Sequence, residues 1–420
     1  MDDKNNNSRE EEQLEIDLSD IPVGETPPPG TEPAEETAPP SDGENFEQLA
    51  IDGAAEAPPK KRSGKKKVVF FAVFFLICAA SIAVTAFNDF AGGEETLPFG
   101  EILSVIGGNW YYLVLAAVSC LLVLAFDWLK TALLLYGFKR QFRLKLTAQT
   151  AVITKFYDYV TPFGSGGQPF AAYLLAKNGV DAGTSTAVVV SCFLLQQFAF
   201  IILCILSLIF SFHVIPTATQ AMSIVGLISY LAVPVLVVVF SIMPKATTKI
   251  VTGIIRFGGR IKLLKNPEKT AEKAIAIVSK NAACLKNIGK NKLTLVLAAV
   301  CAFASQLAMA SIAYFTLKTF AYDIPANGFL EWLQMVQIVI ILYASVAFIP
   351  TPGNAGASEL SFYFIFKTNL AGGLGFTGMI VWRILCFYAY LVIGAVVALA
   401  GTKHERRAKK KAKTKNASPQ

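Results

Sequence analysis

The sequence has little of what most enzyme active sites require. Only two histidines occur among 420 residues, His213 and His404, and none of the seven cysteines stands in a Cys-x-x-Cys pair. The chain therefore has too few histidines for a histidine-based zinc site or a Ser-His relay. Cysteines in apolar runs usually serve as packing residues. From these absences we expect no metal, no cofactor and no histidine-dependent catalysis.

Charged residues are also scarce. They make up 16% of the chain, whereas hydrophobic residues make up 54%, a composition typical of membrane proteins. Residues 1–59 hold 17 Asp and Glu against two Lys and Arg, so the remainder has 13 acidic and 36 basic residues. No RNA-binding or DNA-binding motif accompanies this basic excess, so we expect a membrane surface and no nucleic acid as its partner.

Composition divides the chain into three parts. Residues 1–59 are acidic and rich in proline, which predicts a disordered tail, and residues 60–402 form the predicted polytopic membrane domain. Residues 403–420 form a basic cytoplasmic tail. Within the membrane domain, residues 244–292 hold twelve Lys and Arg and two Glu, which predicts a cytoplasmic loop. Helical spacing over residues 267–285 predicts a basic amphipathic helix there, either lying on anionic lipid or serving as a solvated connector.

Two stretches rich in proline and glycine interrupt the apolar runs. The first break, Thr161–Pro169, and the second break, Thr351–Glu359, share the order Thr-Pro, Gly, small residues and Gly. In hydrocarbon every backbone N–H and C=O must be satisfied internally, so such breaks persist only where protein or a watery cavity covers them. Paired breaks in corresponding halves indicate a transporter's binding site. We therefore predict two broken hairpins that face each other across a polar site.

The hydropathy pattern predicts an all-α polytopic membrane protein. Six full spans are predicted, at residues 68–87, 110–135, 183–212, 221–243, 293–317 and 376–400. Residues 147–176 and 334–366 are predicted to be re-entrant hairpins entering from opposite sides, as in inverted repeats. Eight full spans are the alternative, and they leave both termini on the same side. Residues 88–109 lack Lys and Arg and are predicted to be an external loop.

Candidate substrate-binding residues lie in and beside the two breaks. Glu359 and Arg383 are the ionisable residues deepest within apolar runs; they either pair with each other structurally or hold a phosphate. Asp127 and Lys130 are expected to pair locally near the cytoplasmic interface. The breaks themselves are either binding elements or packed kinks. The candidate residues are Thr161, Pro162, Gly164, Ser165, Gly166, Gly167, Gln168, Pro169, Thr351, Pro352, Gly353, Asn354, Gly356, Ser358, Glu359, Arg383, Lys155 and Asp158.

With these residues identified, residues 68–401 resemble the flippase-like family, the transmembrane domain of bacterial lysylphosphatidylglycerol synthases. The resemblance lies in both breaks and in the last span. Its matching residues are Thr161, Pro162, Gly164, Gly166, Gly167, Pro169 and Tyr173 to Leu175, then Pro350 to Gly356, Glu359, Arg383, Tyr388 and Gly394.

The resemblance implies a protein of the bacterial cytoplasmic membrane that binds or translocates a lipid, with lipid metabolism and antimicrobial resistance as its context. The implied partners are a phospholipid with an anionic or aminoacylated head group and a separate synthase or a second copy. Full-length members carry a soluble aminoacyl-transferase domain after the membrane part. This chain ends about twenty residues after the last predicted span, so we expect that domain to be missing. Phosphatidylglycerol lysyltransferase activity, or partnership with such an enzyme, is the alternative function.

Charge asymmetry predicts that both termini and residues 244–292 face the cytoplasm. We expect single cysteines placed in residues 244–292 of a cysteine-free variant to stay unlabelled when intact cells are treated with an impermeant maleimide. Cysteines placed in residues 88–109 serve as the externally accessible control. Strong labelling of the 244–292 positions in intact cells would refute this topology.

Overall fold

The computed structural model describes residues 76, 79–80, 82–87, 97–139, 141–164, 166–211, 217–260, 271–272, 275, 291–322, 328–367, 370 and 374–400. Helices form the regular structure of this part of the chain, and it contains no strand. The predicted all-α class is therefore confirmed. Residues 1–59 and 403–420, predicted to be tails, lie outside the described residues.

Eleven helices are named here in chain order, from residue 99 onward. They are α1 (Phe99–Gly108), α2 (Trp110–Lys139), α3 (Leu144–Val160), α4 (Gly167–Lys177), α5 (Ala182–Ser211), α6 (Thr217–Ile242), α7 (Pro244–Arg260), α8 (Lys292–Thr319), α9 (Phe329–Val346), α10 (Ala357–Phe366) and α11 (Leu374–Ala400). The first break separates α3 from α4, and the second break lies between α9 and α10.

Six helices of the described part are long and apolar enough to cross a membrane. Five of them, α2, α5, α6, α8 and α11, coincide with predicted spans. The sixth is α9, which the sequence assigned to an arm of the second hairpin and which has the length of a span, 18 residues. The remaining predicted span, residues 68–87, lies mostly outside the described residues, and its residues 82–87 are helical.

Residues 99–108, in the second half of the predicted external loop, form the short helix α1, and the external position of the loop stays a prediction. The carbonyl of Pro98 accepts hydrogen bonds from the N–H groups of Glu101 (2.8 Å) and Ile102 (3.1 Å), so Pro98 is the N-cap of a helix that begins at Phe99. Ile102 is buried in a small cluster with Phe320 and Leu374. Tertiary packing therefore stabilises a short glycine-containing segment that reads locally as a loop.

The predicted cytoplasmic loop also begins with a helix, α7, which follows α6 directly. The amphipathic helix expected at residues 267–285 falls largely outside the described residues. Of that segment, residues 271, 272 and 275 are helical. Helix α7 is therefore an additional helix in this basic loop, and the helix expected at residues 267–285 stays a prediction.

The helices of both hairpins pack against the long helices of the described part. Helix α2 runs along α8, the first hairpin (α3 and α4) packs between α2 and α5, and α9 packs against α5 and α6. A buried cluster around Val339, Ile341 and Trp382 joins α9 to α11. Helices α6 and α9 cross closely at Gly226, because a Cβ atom there would lie 1.7 Å from the carbonyl oxygen of Ala344.

We expect Gly226→Ala to destabilise the protein by about 1–3 kcal/mol, the usual cost of overpacking a close contact. The clash is with backbone, which cannot rotate away as a side chain can. Thermal unfolding of detergent-purified protein measures the change. Gly107→Ala in α1 is the matched control, because a Cβ there meets nothing within 4 Å. Equal thermal stability of the two variants would contradict the close crossing.

Candidate functional site

The two breaks contact each other, and α3 also contacts the second break. Each break contains one short 3₁₀ turn, Pro162–Gly164 in the first and Pro352–Asn354 in the second. The sequence predicted two breaks facing each other across a polar site, and the structure brings them together. The site is therefore built from two chain segments almost 190 residues apart in sequence.

Side chains satisfy the backbone of the first break. The N–H of Gly166 donates to the Thr161 hydroxyl at 2.9 Å, and the N–H of Gly167 donates to Oδ1 of Asp158 at 3.0 Å. Gly167 permits this approach, because a Cβ there would lie 2.4 Å from the Asp158 carboxylate. Asp158 and Thr161 thus fix the point at which α4 begins, where the helix dipole presents its positive end.

A buried ion pair organises the second break. The Glu359 carboxylate accepts the N–H of Gly356 at one oxygen (2.7 Å) and Nε of Arg383 at the other (2.7 Å). Nη2 of Arg383 also donates to the carbonyl of Gly353 at 2.8 Å. The two side chains are only 3% and 5% exposed, so each charge depends on the other for compensation. Of the two alternatives for Glu359 and Arg383, the pairing of the two side chains is observed.

Gly353 takes a left-handed conformation, with a φ of 57°. A Cβ at this position would lie 2.1 Å from the ring of Phe387, so the turn sits directly against that ring. The guanidinium of Arg383 lies 4.3 Å from the same ring's centroid, in cation–π range. Both the backbone conformation and the ring contact require glycine here.

A π turn, Ile384–Tyr388, follows Arg383 in α11. Such turns leave carbonyl groups free for other partners and often occur at functional sites. Here the carbonyl of Cys386 accepts the hydroxyl of Tyr159 at 3.2 Å, and the carbonyl of Leu385 accepts the thiol of Cys120 at 3.4 Å. The π turn therefore fastens α11 to α3 and α2 beside the two breaks.

A cavity of about 360 Å³ lies against both breaks. Five charged side chains line it, three basic and two acidic, together with glutamines, threonines and tyrosines. Its charged and most of its polar lining residues are Asp127, Lys130, Lys155, Asp158 and Arg383, then Thr150, Thr154, Tyr159, Gln168, Gln196, Gln197, Tyr230, Gln306, Tyr343, Asn354 and Ser358. Because it combines both signs of charge with hydrogen-bonding groups, it suits a polar, charged ligand group.

Asp127 is the centre of a network on one wall of the cavity. Its carboxylate contacts Nζ of Lys130 at 2.9 Å and Nζ of Lys155 at 3.4 Å, and it accepts the hydroxyl of Ser305 at 3.0 Å. Lys130 also donates to the side-chain oxygen of Gln196. The expected local pair of Asp127 and Lys130 is present. Both residues also line the cavity, and their expected place near the cytoplasmic interface stays a prediction.

The candidate residues of the sequence fall into two groups. Those that line the cavity are Lys155, Asp158, Gly164, Gln168, Gly353, Asn354, Ser358 and Arg383. Those in or near the breaks that do not line it are Thr161, Pro162, Gly166, Gly167, Pro169, Thr351, Pro352, Gly356 and Glu359. Ser165 lies outside the described residues.

Sequence reasoning missed several cavity residues contributed by other helices. Gln196 and Gln197 are adjacent in the otherwise apolar α5, and Gln306 lies midway along α8. Amides within a span are costly unless they have polar partners, so this signal was available in the sequence. Within the described ranges there is no group of three His, Cys, Asp or Glu residues able to hold a metal ion.

The chain matches a known protein family. A family model described as the lysylphosphatidylglycerol synthase TM region matches residues 98–394, which is more than half of the chain and includes both breaks and Arg383. A search of curated proteins finds no match.

We expect Glu359→Gln and Arg383→Gln each to destabilise the protein by about 3–5 kcal/mol, because each leaves the other charge buried without compensation. The double variant should lose less than either single variant, since both charges are then gone. The measurement is a double-mutant cycle: thermal unfolding in detergent of the unmodified protein, the two single variants and the double variant. Additive losses would show that the two side chains do not act as a pair.

Proposed function

The chain belongs to the family of the lysylphosphatidylglycerol synthase transmembrane region, and on that premise we propose that it binds a phospholipid or lipid-linked substrate and moves it between leaflets. The family and the span-length helices establish a multi-pass membrane protein related to lysylphosphatidylglycerol synthesis or flipping. The proposal extends this to a head-group site at the two breaks, in the cytoplasmic membrane of a bacterium, with both termini in the cytoplasm.

The observation that carries the proposal is the charged cavity held between two broken hairpins. A charged cavity among span-length helices requires compensation, and ionisable residues in such places usually serve a substrate pathway. Its volume of about 360 Å³ falls within the range of small-ligand sites, roughly 300–1,000 Å³. A head group fits this volume, while acyl chains would extend between helices into the bilayer.

Arg383 is the side chain best placed to hold a phosphate. Its bonds to Glu359 and Gly353 use two of the five N–H donors of a guanidinium, and the side chain lines the cavity. Tyr343 and Asn354 line the same cavity and add hydrogen-bonding groups. A guanidinium held rigidly by other contacts can bind two phosphate oxygens through two N–H groups, and its side chain loses little conformational entropy on binding.

The paired breaks support movement of the lipid as well as binding. Helices α4 and α10 both begin at a break, so their positive ends approach the site from two different hairpins. In transporters with opposed broken helices, one repeat or bundle rocks against the other around a central site. We propose that the contact between the two breaks is the barrier that opens alternately to the two leaflets.

We expect Arg383→Gln to abolish movement of a fluorescent phosphatidylglycerol across proteoliposome membranes, measured by quenching of the outer leaflet with dithionite. The double variant Glu359→Gln, Arg383→Gln should remain inactive even though its folding recovers, because the phosphate has lost its guanidinium.

The matched control is the double variant Lys318→Gln, Glu331→Gln, which removes another ion pair (2.8 Å) that does not line the cavity. Its lipid movement should stay close to that of the unmodified protein. Recovery of lipid movement in the Glu359 and Arg383 double variant would show that the pair is only structural.

A further inference from the structure

We propose that Asp158 is a proton-binding site and that a proton and an anionic head group occupy the cavity together, so that lipid movement is coupled to a proton gradient. This inference rests on the proposed function. It concerns what drives lipid movement at the same site. It begins from a difference among three carboxylates at or beside the cavity, those of Asp127, Asp158 and Glu359.

Two of those carboxylates have basic partners and the third does not. Asp127 contacts two lysine amines, and Glu359 contacts the guanidinium of Arg383. Asp158 accepts the N–H of Gly167 at 3.0 Å and has a hydrogen bond with the Gln168 side chain. Among the described residues no lysine or arginine nitrogen lies within 4.0 Å of the Asp158 carboxylate. A carboxylate without a paired cation at such a site tends to take up a proton.

The ionisable groups around Asp158 each have another partner. They are Asp127 and Lys130 on α2, Lys155 and Tyr159 on its own helix α3, Tyr230 on α6, and Arg383 on α11. The nearest amine, that of Lys155, bonds to Asp127 and lies 5.3 Å from the centroid of the Tyr390 ring. From α4 the facing residues are Gly167 and Gln168, which are uncharged. Protonation therefore changes the charge at Asp158 without first breaking an ion pair.

The charges around the cavity balance only when Asp158 is ionised. Three basic side chains and two acidic side chains line the cavity, and Glu359 adds a third acidic group through Arg383. With all six ionised the cluster is neutral, and with Asp158 protonated it carries one positive charge. A phosphodiester carries one negative charge, so a proton and one anionic head group together leave the cluster neutral. Net charge is costly in this environment, so binding of the proton raises the affinity for the head group. By linkage, the head group raises the affinity for the proton by the same factor.

Protonation also acts on the geometry of the first break. The ionised Asp158 carboxylate accepts the N–H of Gly167 at the start of α4 in a charge-assisted hydrogen bond, about twice as strong as a neutral one. A protonated carboxyl group holds that N–H less tightly. The same event that makes the cavity cationic therefore loosens the hairpin that contacts the second break.

The test uses the full chain in proteoliposomes containing fluorescent phosphatidylglycerol, with a pH difference imposed across the membrane. Acid on the side from which the lipid departs should raise the initial rate, by up to about tenfold per pH unit, the limit for one titrating group. Asp158→Asn should move lipid at a rate that does not respond to pH. Glu331→Gln, a carboxylate that does not line the cavity, should keep the response of the unmodified protein.

A second measurement does not depend on the folding of the Asp158 variant. Pyranine trapped inside vesicles with the unmodified protein should report proton entry when phosphatidylglycerol is present and none when the vesicles contain phosphatidylcholine alone. Lipid movement that is independent of pH, or unaccompanied by proton entry, overturns the coupling and leaves the proposed function standing. Absence of any lipid movement overturns both proposals.

Discussion

The structure depends on the requirement that backbone groups within hydrocarbon find partners inside the protein. Two hairpins interrupt their helices at proline and glycine, and side chains replace the lost helical bonds. Asp158 holds the start of α4, Glu359 holds the N–H of Gly356, and Arg383 holds the carbonyl of Gly353. Charged side chains are well suited to this, because charge-assisted hydrogen bonds are the strong ones. Two breaks made this way contact each other.

The same constraint creates the site. A charge that satisfies a break must itself be compensated, so Arg383 requires Glu359, and Lys155 reaches Asp127 on another helix. The cavity is the space that these side chains leave between them. Its charge balance follows from folding requirements, and in the proposed function the same balance selects the head group. Stability and ligand choice are therefore carried by the same residues, and only double variants separate them.

The sequence predicts those parts of the site whose residues are unusual for the stretch in which they occur. The breaks stand out because proline and glycine interrupt apolar runs, and Glu359 and Arg383 stand out as charges there. Whether they pair with each other or hold a phosphate was left open by the sequence, and the structure places them side by side. The polar network around Asp127 could not be predicted, because it depends on Lys155 and Ser305 from two other helices. The π turn after Arg383 and the helix α1 likewise arise from tertiary contacts that no local pattern records.

The central claim is that the cavity between the two breaks holds the phosphate of a membrane lipid. An electron cryomicroscopy structure of the full chain in nanodiscs containing phosphatidylglycerol tests this most directly. We predict density for a head group within hydrogen-bonding distance of Arg383, with acyl chains leaving the cavity between helices. Lipid head groups found only at the two membrane surfaces, with the guanidinium of Arg383 turned away from an empty cavity, would contradict the account.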